Sequence, residues 1–171
     1  MTEPFGVYLH IPFCSRRCDY CAFATWTDRD HLVDAYMASL VADLERRQLP
    51  PVSSVFVGGG TPTRVPADLL AKALRSIPTV AGAEVTVECN PDDVTAAMFH
   101  TYAEAGVNRI SLGVQDFDPE VQKAVNRIQP EAETRAVMDA ARAAGFRSIS
   151  IDLIYGLPKQ TMRSMEQTLD K

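Results

Sequence analysis

The chain has 171 residues, a net charge of −5, and 46% hydrophobic and 23% charged residues, the balance of an ordinary globular domain. The acidic balance argues against a nucleic-acid partner, which leaves a basic footprint, and no apolar run is long enough for a transmembrane helix. The opening MTEPFGVYLH has no basic region followed by an apolar stretch, so no secretory signal is read there and a cytoplasmic location is expected.

Strand-like and helix-like segments alternate along the chain. Strands are predicted at Gly6–His10, Ser54–Val57, Glu84–Glu88, Arg109–Gly113 and Ser148–Ile154, all rich in Val, Ile and Leu. The first helix is predicted over Asp30–Arg47, with Leu32, Tyr36, Leu40 and Leu44 on one face and Asp28 or Asp30 as its N-cap. Further helices are predicted at Pro66–Ile77, Thr95–Ala105, Pro119–Asn126 and Glu131–Ala144, with Gly106 and Gly145 just past two of their ends. A sixth helix-forming segment starts near Gln160, and the chain stops inside it at Lys171. A parallel sheet ending there leaves an open edge, so the chain is expected to be the N-terminal part of a longer protein, with no second domain within residues 1–171.

Repeated strand–helix units imply parallel strands with right-handed crossovers, either in a barrel or in a doubly wound sheet. The unusual motifs favour the barrel, because they fall where strands end, the place of barrel active sites. CSRRCDYC follows strand one, GGGTPT strand two, ECNPDD ends strand three, VQDFD follows strand four, and Asp152 lies in strand five. The expected fold is an α/β partial (β/α) barrel truncated after about five strands.

Four cysteines are present, and Cys14, Cys18 and Cys21 crowd into one C-x3-C-x2-C run. In a reducing compartment such clustering points to metal rather than disulfides. Thiolates suit both iron–sulfur clusters and zinc. Three thiolates on a four-iron cluster leave one iron open to a small-molecule chelator. Zinc would need a fourth ligand from Cys89, His10, His31 or His100. Spacing alone leaves both open. His31 and His100 read as solvated helix residues, Cys89 as a buried thiol, and Trp26 as packing or part of a partner surface.

The run Y-L-H-I-P-F-C-S-R-R-C-D-Y-C-A-F resembles the opening of the radical S-adenosylmethionine (SAM) superfamily. More narrowly, it is similar to the oxygen-independent coproporphyrinogen III oxidases and their relatives, the HemW-type heme chaperones. G-G-G-T-P-T, E-C-N-P, G-V-Q-D-F and D-L-I-Y-G-L-P follow in that family's order, so the resemblance covers essentially the whole chain. It implies a [4Fe–4S] cluster on Cys14, Cys18 and Cys21 and a radical SAM barrel with SAM across its C-terminal mouth. It implies that Tyr20 lies beside the SAM adenine, that Tyr8 is near its methionyl end, and that Gly59, Gly60 and Thr61 contact its methionine part. Glu88 and Asp152 then match carboxylates for ribose hydroxyls or the ammonium, Gln115 a donor and acceptor, and Arg127 a planar fork for the SAM carboxylate. His10 is expected to support the cysteine loop.

The implied chemistry is one-electron reductive cleavage of SAM to methionine and a 5′-deoxyadenosyl radical. Implied partners are SAM, heme or a porphyrinogen, an electron donor such as a flavodoxin or ferredoxin, and a heme-accepting protein, with heme as cargo. Oxidases of this family carry a further cysteine two positions after the third ligand; here the position is Phe23, as in the chaperone branch. The cluster motif also begins only fourteen residues in. The expected function is therefore that of a heme chaperone. The alternatives are the oxidase, an oxidoreductase that decarboxylates two propionates of coproporphyrinogen III to give protoporphyrinogen IX, and a zinc-stabilised protein without SAM chemistry.

Overall fold

The computed structural model describes residues 5–171, so the signal reading over residues 1–4 lies outside the described residues. Strands β1 (Gly6–Ile11), β2 (Val52–Gly59), β3 (Thr79–Cys89), β4 (Arg109–Gln115) and β5 (Ser148–Leu153) form one sheet. All neighbouring pairs are parallel, and their order in space is their order in the chain. A doubly wound sheet reverses strand order at a switch point. This one never reverses, so it is the wall of a partial (β/α) barrel.

The helices are α1 (Val33–Arg47), α2 (Ala67–Arg75), α3 (Ala96–Glu104), α4 (Pro119–Ala124), α5 (Glu131–Ala143) and α6 (Met162–Leu169). They leave the two faces of the sheet chemically unlike. Leu9, Ile11, Val55, Val57, Val87, Ile110 and Leu112 point one way, are almost fully buried, and pack with Met37, Leu70, Phe99 and Tyr102 of the helices. The alternate residues, Tyr8, His10, Thr86, Glu88, Arg109, Ser111, Ser150 and Asp152, point the other way and are largely polar. Parallel strands covered on both faces read as continuous apolar runs. The alternation here gives the barrel wall a polar inner surface.

Three details differ from the sequence expectations. β2 and β3 begin earlier than predicted, at Val52 and Thr79, which pair with each other ahead of a register shift before Ser54. The buried stripe of α1 is Val33, Met37, Val41 and Leu44, one position round from the predicted face, and Leu32 is exposed. Asp28 and Asp30 cap no helix; they form ion pairs with Arg29 and Arg64, each at 2.6 Å. Gly106 and Gly145 do follow α3 and α5 with positive φ, as predicted.

Candidate functional site

The loop after β1 is closed at its base before it reaches the cysteines. Phe13 bridges to Trp26; Cys14 N–H donates to Trp26 O at 3.1 Å, and Trp26 N–H to Pro12 O at 2.8 Å. Within the loop, Cys21 N–H donates to Cys18 O at 3.0 Å. His10 supports the loop from below, with Nε2 at 2.9 Å from Ala24 O.

The glycine run lies beside this loop and extends the β1–β2 pairing: Gly60 N–H donates to Ile11 O at 2.7 Å and Thr61 N–H to Phe13 O at 2.8 Å. Gly59 adopts φ +112°, where side chains are strained, and a Cβ there would meet the His10 ring at 2.5 Å. At Gly60 the constraint is space alone. A Cβ would sit 2.7 Å from Phe13 O and 3.0 Å from Cys14 Sγ. Thr61 Oγ1 lies 3.6 Å from the same sulfur. Burial pushes the Cys14 thiol up, opposed by hydrogen bonds from Thr61 and Thr25.

Beyond the glycines the strand ends carry carboxylates. Gly59 N–H donates to Glu88 Oε2 at 3.3 Å. Burial raises the Glu88 carboxyl above the ordinary carboxylate range; the charge of Asp152 adds to the rise and the Gly59 N–H opposes it. Gln115 ends β4 at a register shift with φ 72°, left-handed for a non-glycine residue. Such a bulge re-aims a side chain, and Gln115 is turned into the same cavity.

Arg127 follows α4 and is 9% exposed. Its Nε donates to Gln129 Oε1 at 3.1 Å. Nη1 reaches Tyr20 OH at 3.2 Å and Cys18 Sγ at 3.6 Å, while Nη2 donates to Asn90 Oδ1 at 2.5 Å and to Gly113 O. All five guanidinium N–H groups thus have protein acceptors. The hydroxyl of Tyr20 is pushed up to about 12, burial dominating.

These groups line one cavity of about 470 Å³, within the size range of small-molecule sites. Cys14, Cys18, Cys21, Tyr20, Gly59, Gly60, Thr61, Glu88, Gln115, Arg127 and Asp152 all line it. Tyr8 is the exception among the sequence-derived site residues. It sits two positions below His10 on the inner face, its hydroxyl 3.1 Å from His10 Nδ1 and its ring stacked on Phe56. Sequence reasoning left two residues without a role. Asn90, inside the E-C-N-P motif, accepts from both Arg127 and Gln129; Ser111, inside the fourth strand, bonds Asp152.

The donor set fits an iron–sulfur cluster with an open iron. Three soft sulfurs border one cavity, and the glycine approach leaves room beside Cys14. A zinc site would need a fourth ligand. Cys89 lines the same cavity but is buried in the core, with its thiol 3.7 Å from Val87 O; His10 holds Ala24 O; His31 and His100 are exposed. Among the described residues no group of three or more His, Cys, Asp or Glu is placed to hold a single metal ion. Nor is any helix among them long and apolar enough to cross a membrane.

Comparison with known proteins agrees with this geometry. The oxygen-independent coproporphyrinogen III oxidase of Paracoccus denitrificans is 39% identical over 176 residues, which cover 97% of this chain and 39% of that protein. The heme chaperone HemW of Lactococcus lactis is 37% identical over 175 residues, 100% of this chain and 46% of that one. The chain therefore spans less than half the length of these relatives. The structure of coproporphyrinogen III oxidase (HemN) from Escherichia coli superposes with a TM-score of 0.89 at 39% identity, covering 98% of this chain and 41% of that one. The family model of the radical SAM superfamily matches residues 8–171, and the chain belongs to that superfamily.

Proposed function

We propose that residues 1–171 form the N-terminal part of a radical SAM core domain whose whole protein is a heme chaperone. The observation that carries the choice is Phe23. It stands at the cavity mouth, two residues after Cys21, and is 65% exposed. A phenyl ring offers no thiol as donor, ligand or redox partner. The relatives named as oxidase and as chaperone are almost equally similar, at 39% and 37%, so overall identity does not decide between them.

In this reading Cys14, Cys18 and Cys21 hold a [4Fe–4S] cluster, and the cavity beside them holds SAM. Bound together, these two cofactors supply one-electron cleavage of the sulfonium bond. The chain's own residues bind and orient. Glu88 and Asp152 accept hydrogen bonds from ribose hydroxyls or the ammonium of SAM. Gly59 and Gly60 let its methionine part approach the backbone. Tyr20 flanks the adenine. An electron donor and a heme-accepting protein complete the expected partners, in the cytoplasm.

The test is anaerobic cluster reconstitution of the full-length protein, followed by parallel assays of heme binding and coproporphyrinogen III turnover. Heme binding without turnover is expected. Robust conversion to protoporphyrinogen IX would replace this reading with the oxidase. Stoichiometric zinc without iron after anaerobic purification would remove both.

A further inference from the structure

Arg127 is a buried cation without a carboxylate among its hydrogen-bond partners. An isolated buried charge is costly unless an opposite charge offsets it. Of its acceptors, Gln129, Asn90, Gly113 O and the Tyr20 hydroxyl are neutral. The remaining one is Cys18 Sγ, at 3.6 Å from Nη1. Iron ligation deprotonates a cysteine, and that would turn this contact into a charge-assisted hydrogen bond between guanidinium and thiolate.

The surrounding turn makes the contact a built one. Val125 O accepts from Asp19 N–H at 3.2 Å, and Asn126 Nδ2 donates to Arg17 O at 2.9 Å. Asn126 does so from a left-handed conformation, φ 57°. One short turn therefore holds the cysteine loop by the residues on either side of Cys18, and it delivers Arg127 to the sulfur.

We propose that Arg127 is a positioning residue for the cluster and raises its reduction potential through Cys18. The proposal rests on the [4Fe–4S] reading of the three cysteines. Reduction adds one electron, supplied in the experiment by dithionite, and takes the cluster from its 2+ to its 1+ state. The reduced state is the more negative one, so a fixed positive charge at a ligand sulfur favours it. Hydrogen bonds to sulfur and local charge are known levers on such potentials.

The experiment is an EPR-monitored redox titration of the reconstituted full-length protein, without SAM, after iron and sulfide analysis. Arg127→Gln should lower the reduced-to-oxidised ratio about tenfold at fixed ambient potential, equal to 59 mV for a one-electron couple. Arg127→Lys keeps the charge and should recover most of that shift. Asn126→Ala loosens the loop without changing charge and should leave the potential in place. An unchanged potential in fully loaded Arg127→Gln would overturn the proposal, as would equal shifts in all three variants. A loss of SAM affinity in Arg127→Gln with no change in potential would assign the guanidinium to the ligand carboxylate instead. Should Arg127→Gln fail to load iron, wild-type protein carrying 15N-arginine decides. Pulsed EPR of the reduced cluster should show a 15N coupling, and its absence overturns the proposal. Wild-type protein that binds no iron would instead sink the cluster reading itself.

Discussion

The Ser111 hydroxyl lies 2.9 and 3.0 Å from the two carboxylate oxygens of Asp152. Ser111 is buried, whereas Asp152 is exposed to the cavity. Ser150 approaches the same hydroxyl at 3.0 Å, and Arg109 reaches both Ser150 and Glu84. This ladder across the inner face holds the carboxylate in one orientation. Ser111→Ala removes a hydrogen bond to a charged group, a loss of about 1.5 kcal/mol. It should weaken SAM binding to the cluster-loaded protein about tenfold, read by calorimetry, with iron content unchanged.

Glu88 should trade stability for binding. Its carboxyl is raised above its ordinary value of 4.5, chiefly by burial. A raised acid contributes stability that is fully present below its unfolded value and is lost as pH rises through its folded one. Glu88→Gln is free of that loss. Without cofactors, its melting temperature should match wild type near pH 4.5 and exceed it increasingly toward about pH 7. The same variant should bind SAM more weakly at neutral pH. A melting-temperature difference that shrinks as pH rises would contradict the burial argument.

Gly60→Ala tests the close approach of the glycine run. The added methyl would lie 2.7 Å from Phe13 O and 2.9 Å from Ile11 O. Both are backbone atoms, so the loop must shift to make room. Overpacking of this kind costs about 1–3 kcal/mol. Reconstituted protein should hold less iron and melt earlier, whereas Gly82→Ala, where no atom lies within 4 Å of a Cβ, should load iron normally.

Cys18→Ser and Cys89→Ala should part company. Both thiols border the cavity, but Cys89 is 4% exposed and packed within the hydrophobic core. The first variant should lose its cluster absorbance. The second should keep full iron and lose about 1 kcal/mol of stability, as a small core truncation does. Loss of iron from Cys89→Ala would make it a ligand after all.

Much of this was legible because strand ends and chemistry coincide. The motifs fall at or just after strand ends, and parallel strands bring their C-terminal ends together. Tyr8 escaped that logic because it precedes the strand end by several residues, roughly 3.3 Å of rise for each, and so lies below the cavity. The α1 face was misjudged because Leu32 and Leu40 compete with the Val33, Met37 and Val41 stripe, and only the sheet decides which side packs. Ser111 was invisible for a related reason. A serine in a strand gives no hint of its cross-strand partner until the register with β5 is fixed. Arg127 was picked out by motif position, but its grip on Cys18 depends on a turn that local sequence does not reveal.

The contact between Asn126 and Arg17 joins residues 109 positions apart. Synthesis runs from the N-terminus, at about 5–20 residues per second, so the cysteine loop is made first and secured late. Until the turn after α4 has emerged, Arg17 and Asp19 lack the hydrogen bonds that hold the loop on either side of Cys18, and oxidants can reach the thiols. Metal delivered in that interval meets ligands without their electrostatic partner. Under the proposed [4Fe–4S] reading, the order of synthesis therefore leaves an interval in which the ligand loop is made but not yet secured.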